Sequence, residues 1–314
     1  MTPAVLRYSA FTTDPSGGNP AGVVLDARGL SDDAMQRIAA DVGYSETAFL
    51  LPRADGELEV RYFSPLAEVS FCGHATIAAM VAHARRQGPG NFVLHTQAGR
   101  VRVTVDAGFI ATLTSVPPRV EAMDAADLDS VLAALRWQRD ELDPALPPAV
   151  AYAGAWHPVI AVVSRARLAD LHYNFDALAA LMASRDWTTI NLVWREDAHT
   201  LHARNPFPPG GVVEDPATGA AAAALGAYLA SQDRLPEGRR FTIYQGHDLG
   251  RPSVLRVDVP VDVSEGVRVS GTAVEIVVGV EWIESTVAPS WGDDSRAKYV
   301  LGACVLYPGG PPRS

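Results

Sequence analysis

The amino-acid sequence predicts an α+β protein built as two similar domains, each a barrel-like, mostly antiparallel sheet around one central buried helix. Three observations carry that prediction. The order strand, glycine-bearing loop, apolar helix, several strands occurs twice. The two helices it contains are "HATIAAMVAHARRQG" and "GAAAAALGAYLAS". The first is apolar through two turns and the second all round, so each suits a place enclosed by other structure. The runs after each helix alternate apolar and polar residues as strands do.

The chain opens with "RYSAFTTDPSGGNPAGVVLDA", which reads as strand, loop, strand. Its loop, Asp14-Pro15-Ser16-Gly17-Gly18-Asn19-Pro20, is dense in turn formers. "LSDDAMQRIAADVG" is a short amphipathic helix. Ser31 is its N-cap, Asp32 and Asp33 lie in the positive first turn, Gly43 closes it, and Leu30 staples onto Met35. The apolar "TAFLL" and the alternating "ELEVRYFS" read as strands. The loop "PLAEVSFCG", the first buried helix and the strands "NFVLHTQ", "RVRVTVD" and "FIATLTSV" follow. Pro117-Pro118 reads as a linker, which sets the expected domains at 1–117 and 118–283. The second half begins with a polar-faced helix over "DLDSVLAALRWQRDEL". A strand, the helix "FDALAALMAS" and the strand "TTINLVW" come next. Then the pattern returns: strand "TLHARNPF", loop "PPGGVVEDPAT", the second buried helix, and strands "RRFTIYQG", "SVLRVDV" and "VRVSGTAVEIVVGVEW". Residues 284–314 are polar and contain Gly and Pro, and read as an appendage.

The 314 residues, 48% hydrophobic and 20% charged, suffice for two domains with full cores. Lys and Arg total 26 and Asp and Glu 36, a net charge of −10. An acidic surface argues against nucleic acid or an anionic membrane as partner. No stretch approaches the roughly 20 apolar residues of a membrane span. The first residues lack the charged and apolar regions of a signal peptide. Two cysteines, Cys72 and Cys304, do not make a disulfide framework, and the expected setting is cytoplasmic.

Two buried helices whose N-termini face one cleft aim free backbone N–H groups and positive dipole ends at the same point. The loops Cys72-Gly73-His74 and Asp215-Pro216-Ala217-Thr218-Gly219-Ala220 line that point. Small residues at Gly73, Gly219 and Ala220 let a carboxylate reach the backbone. A small carboxylated ligand is therefore expected, held without lysine or arginine. The candidate proton carriers are Glu46, His74 and Asp215. Glu46 directly precedes "TAFLL", where partial desolvation raises a carboxyl pKa toward the useful range; the competing reading is a solvated loop glutamate. His74 at a helix start is an acid/base candidate or a hydrogen-bonded core histidine. Asp215 precedes a proline, a position that suits a helix cap and a catalytic acid alike. A helix N-terminus favours Cys72 as a nucleophile, while Phe71 and the apolar helix favour an inert buried sulfur. The second loop supplies no partner thiol. His199 and His202 point to opposite faces of one predicted strand, and the other histidines lack ligand-spaced companions, so no metal site is expected. The glycine-rich loops carry neither a P-loop nor a dinucleotide fingerprint, so no cofactor is expected.

Six segments run in order from about residue 8 to residue 281: "FTTDPSGGNPAGVV", "GYSETAFL", "FSPLAEVSFCGHATIAA", "NPFPPGGVVEDPATGAA", "QGHDLGRPSVL" and "GTAVEIVVG". In them the sequence resembles the phenazine-biosynthesis PhzF-like proteins, of the diaminopimelate epimerase-like fold. "CGHATI" alone also resembles the first half-site of proline racemase-like enzymes. The resemblance implies two barrel-and-helix domains with the active site in the cleft between them. It further implies a cofactor-independent isomerase and a homodimer. Glu46 in "SETAF", with Ser45 beside it, matches the base that lifts a proton from one carbon of a conjugated ring acid and returns it to another. The best-understood member does this to trans-2,3-dihydro-3-hydroxyanthranilate. His74 and Asp215 match supporting polar residues; Gly73, Gly219 and position 220 match carboxylate binders. Ala220 stands where phenazine-pathway members have serine, which keeps a backbone N–H and loses a hydroxyl.

The expected activity is a proton shift on a small carboxylate substrate, with Glu46 as base and then acid. Two alternatives stand beside it: a proline racemase-like epimerase or dehydratase using Cys72, and a ligand-binding relative without catalysis.

Overall fold

Local chemistry sets the first elements. β1 (Leu6–Ala10) and β2 (Asn19–Val24) pair antiparallel across the turn-rich loop. Arg251 clamps that loop, its Nε donating to the Gly18 carbonyl at 2.8 Å and its Nη2 to the Gly17 carbonyl at 2.6 Å. Helix α1 (Asp32–Val42) starts at Ser31, whose Oγ accepts from the Ala34 N–H, and stops at Gly43 in the left-handed region (φ 72°). Its stripe of Met35, Ala39 and Val42 is buried, and Met35 and Ala39 pack with Phe49 and Phe63. The structure is a computed structural model that describes residues 3–277; the expected appendage at 284–314 and Cys304 lie outside the described residues.

β3 (Glu46–Pro52) runs parallel to β2, and β4 (Leu58–Phe63) runs antiparallel to β3. The short β5 (Glu68–Val69) folds back on β4 and leads into α2 (Gly73–Gln87). β6 (Gly90–Thr96) pairs parallel with β4, then β7 (Gly99–Val105) and β8 (Ala111–Thr114) continue antiparallel. After β9 (Arg119–Ala122) and α3 (Ala125–Leu135), β10 (Ala149–Tyr152) and β11 (Trp156–Ala161) form a hairpin. Next come α4 (Arg165–Ala169), α5 (Phe175–Arg185), β12 (Asn191–Arg195) and β13 (Thr200–Phe207). β14 (Val212–Asp215), α6 (Gly219–Ser231), β15 (Arg240–Gln245), β16 (Ser253–Asp258), β17 (Arg268–Gly271) and β18 (Ala273–Glu275) complete the described chain.

The expected repetition is visible in the pairing. β2 with β3 and β4 with β6 are parallel, and so are β11 with β12 and β13 with β15. The remaining strand pairs among the described residues are antiparallel. β5 before α2 repeats as β14 before α6. The halves join where β17 pairs with β8, and β18 closes on β1.

Both central helices are buried, α2 from His74 to Ala82 and α6 from Ala221 to Leu229. Each large apolar side chain they bury, such as Ile77 and Met80, contributes about 1.5–3 kcal/mol. Gly226 shows why α6 is made of small residues: a Cβ there would meet Val257, Val259 and Val267 at 3.0–3.1 Å. No helix among the described residues is long and apolar enough to cross a membrane.

Three element expectations fail. The strand expected over "AVAYAG…PVIAVV" is the hairpin of β10 and β11, and the run expected from Val267 splits at Thr272 into β17 and β18, its end beyond residue 277 lying outside the described residues. The helix read over "DLDSVLAALRWQRDEL" begins earlier, capped by Asp124, and ends at Leu135. Arg136 turns left-handed (φ 60°), and a separate 3₁₀ turn occupies Arg139–Glu141. The break swings Trp137 into the core formed by Leu132, Leu135 and Leu168, and burial of its ring outweighs continuation of the helix.

Candidate active site

Three places in the chain deliver the expected residues. Glu46 is the first residue of β3, placed opposite Ala21 by the parallel register, with Ser45 just before it. Cys72 and His74 flank Gly73 where β5 passes into α2. Asp215 ends β14, three residues before the N-cap of α6.

His74 joins the first two groups. Its Nε2 lies 3.4 Å from Glu46 Oε2 and 3.4 Å from Ser45 Oγ, and its Nδ1 lies 3.3 Å from Cys72 Sγ. Glu46 Oε2 is buried and accepts no well-aligned hydrogen bond. Burial raises the Glu46 pKa above its usual range, and the donors Ser45 and Cys72 only partly offset this. Burial lowers the pKa of His74, opposed by the charge of Asp215 and by a hydrogen bond to the Pro20 carbonyl.

Asp215 is held from three sides. Asn19 Nδ2 donates to Oδ1 at 2.7 Å, Thr218 Oγ1 donates to Oδ2 at 2.6 Å, and Gln245 Nε2 donates to the Asp215 carbonyl at 2.7 Å. Burial pushes its carboxyl up to about 6, against the lowering effects of His74, Thr218 and Asn19, while Glu46 adds to the rise. Asp215 does not cap α6, so that reading is corrected: its oxygens are taken by side chains.

Neither α2 nor α6 has a side-chain cap at its N-terminus. The two helix starts meet: a Cβ added to Gly73 would lie 3.9 Å from the Gly219 Cα, and one added to Gly219 would lie 3.7 Å from the Phe11 ring. Phe11 itself is buried with φ 62°, a conformation a bulky residue takes only when its surroundings enforce it. Ala220 follows Gly219 in the first turn of α6.

Cys72 is buried, as expected of a packing residue, yet it also touches the acid/base group. Burial and the charges of Glu46 and Asp215 push its thiol well above the usual range. Glu46, Cys72 and His74 each offer a metal-ligating atom, all within 4.8 Å of one another. Sequence spacing gave no hint of this grouping. It also missed Asn19, Phe11 and Gln245. Asn19 read only as a turn former, because its partners lie 196 and 198 residues away.

The family model described as "Phenazine biosynthesis-like protein" matches residues 8–279. The uncharacterized isomerase YddE of Escherichia coli (strain K12) is 34% identical over 296 residues, covering 90% of this chain and 99% of that protein. Trans-2,3-dihydro-3-hydroxyanthranilate isomerase of Pseudomonas chlororaphis is 32% identical over 281 residues, covering 84% of this chain and 94% of that protein. The crystal structure of the Bacillus anthracis PhzF-family phenazine biosynthesis protein superposes with a TM-score of 0.77 at 27% identity, covering 87% of this chain and 96% of that one. The chain belongs to the PhzC-PhzF phenazine biosynthesis-like family of isomerases.

Proposed function

We propose that this isomerase moves a proton on a small carboxylated substrate without a cofactor, Glu46 lifting the proton as base and returning it as acid. One observation carries the reading: two uncapped helix N-termini meet at Gly73 and Gly219 in a site that also holds a buried glutamate of raised pKa. The amides of Gly73, Gly219 and Ala220 receive the substrate carboxylate, where the helix dipoles favour negative charge. Removing a proton from a carbon conjugated to that carboxylate spreads negative charge toward the same amides, which stabilise it in place. A carboxyl raised toward working pH serves in both directions. His74, Ser45 and Asp215 orient Glu46 and the substrate, Asp215 through the frame of Asn19 and Thr218. The name of the Pseudomonas chlororaphis relative supports a ring acid resembling trans-2,3-dihydro-3-hydroxyanthranilate.

The thiol-base alternative is weaker. Cys72 is held neutral by burial and two nearby carboxylates, and it is the one free cysteine among the described residues. The same reading keeps a division into domains at Pro117-Pro118, a homodimer and a cytoplasmic setting as proposals. The test is exchange of substrate protons with heavy water over a panel of small conjugated carboxylic acids. Wild type is expected to exchange, and Glu46→Gln to bind the same acid without exchange. Exchange by the variant at the wild-type rate would exclude Glu46 as the base.

A further inference from the structure

We infer that Glu46, Cys72 and His74 form a binding site for a thiophilic divalent cation such as Zn²⁺, which occupies the catalytic cluster and shuts it off. With Zn–S near about 2.3 Å and Zn–N and Zn–O near about 2.0–2.2 Å, a tetrahedral ion sets its donors about 3.4–3.6 Å apart. His74 Nε2 lies 3.4 Å from Glu46 Oε2 and 4.0 Å from Cys72 Sγ, and Nδ1 lies 3.3 Å from the sulfur. The three ligand atoms lie within 4.8 Å of one another, so side-chain shifts of about an ångström bring them around one ion.

One further observation supports a cation here. Glu46 Oε2 is buried without an aligned hydrogen-bond partner, so a lone pair is available. On binding, the S–H bond breaks as the metal–sulfur bond forms, and the proton passes to bulk water. The ion takes the carboxylate that the proposed reaction uses as its base, so binding and proton transfer exclude each other.

The site extends the proposed function, and its test does not depend on that function. The full chain, freed of metal, is titrated with Co²⁺ and watched for thiolate-to-cobalt absorption, then with Zn²⁺ by calorimetry. One equivalent of Co²⁺ is expected to give the thiolate band, and Zn²⁺ to displace it. Cys304→Ala keeps the band and Cys72→Ser abolishes it, with circular dichroism reporting that each variant is folded. Glu46→Gln is expected to weaken Zn²⁺ at least tenfold. No band in the folded wild type, a band that survives Cys72→Ser, or unchanged Zn²⁺ affinity in Glu46→Gln overturns the site. If Co²⁺ binds as described while no acid exchanges protons, the metal site stands and the isomerase mechanism falls. If acids exchange protons and one equivalent of Zn²⁺ leaves the rate unchanged, the shut-off fails while the mechanism stands.

Discussion

Asp215→Asn measures what the site costs the fold. The Asp215 carboxyl is pushed up to about 6 from 3.8, and that difference of 2.2 (6 − 3.8) corresponds to about 3 kcal/mol at about 1.4 kcal/mol per unit. The folded pKa lies above the unfolded one. The stability this group contributes is therefore fully present below about pH 3.8 and is lost as pH rises through about 6. Asparagine does not ionise and removes that loss. Its amide oxygen still accepts from Asn19, and the Thr218 hydroxyl, now free to rotate, accepts from the amide N–H. Between pH 4.5 and pH 8 the variant is expected to gain about 2 kcal/mol on wild type, the share of the whole shift that falls in that window. Removing the Asp215 charge also lowers the Glu46 pKa, a change of the same sign. Urea unfolding of both proteins at the two pH values, with equal m-values, gives the number. A stability difference that is flat with pH, or that moves in favour of wild type, refutes the assignment of a buried, strained carboxylate at this position.

Other expectations follow from single contacts. Asn19→Ala removes the donor to Asp215 Oδ1 and to the Ala217 carbonyl; urea unfolding should show a loss of about 1–3 kcal/mol, and the variant's stability–pH curve should break at a higher pH because Asp215 loses a partner that favours its charge. Gly226→Ala drives a methyl against three valines, and the overpacking of about 1–3 kcal/mol should exceed the ~1 kcal/mol that alanine adds to a helix, lowering the Tm. Arg204→Met leaves Glu214 buried without its guanidinium, which donates from Nε at 3.0 Å; a loss of about 3–5 kcal/mol in urea is expected, easing at acid pH where Glu214 takes a proton.

What the sequence made legible was local or periodic. Ser31, Asp32, Asp33 and Gly43 bound α1 by contacts within a few residues, and the structure reproduces them. The small-residue run from Gly219 could only be an enclosed helix, and its bounds hold at both ends. Where the deciding contact was distant, the reading ran out. Trp137 ends α3 because its ring is worth more in the core than in the helix, a balance invisible in "ALRWQRDEL". Asn19 braces Asp215 from the far end of the chain, and a turn-rich loop disguised it. Glu46 entered as a loop residue before an apolar strand; its neighbours Cys72 and His74 come to it only through the β5–α2 connection. Phe11 carried no signal at all, since a positive φ at phenylalanine follows from the hydrogen bonds of its backbone to Thr272 and Val254.

The most direct measurement is solvent-deuterium incorporation, by mass spectrometry, into a conjugated carboxylic acid turned over by wild type and by Glu46→Gln. The account expects deuterium at the carbon that receives the proton in wild type. In the variant it expects none, while the acid still protects the protein in a thermal-shift titration. Incorporation by Glu46→Gln at the wild-type rate would contradict it.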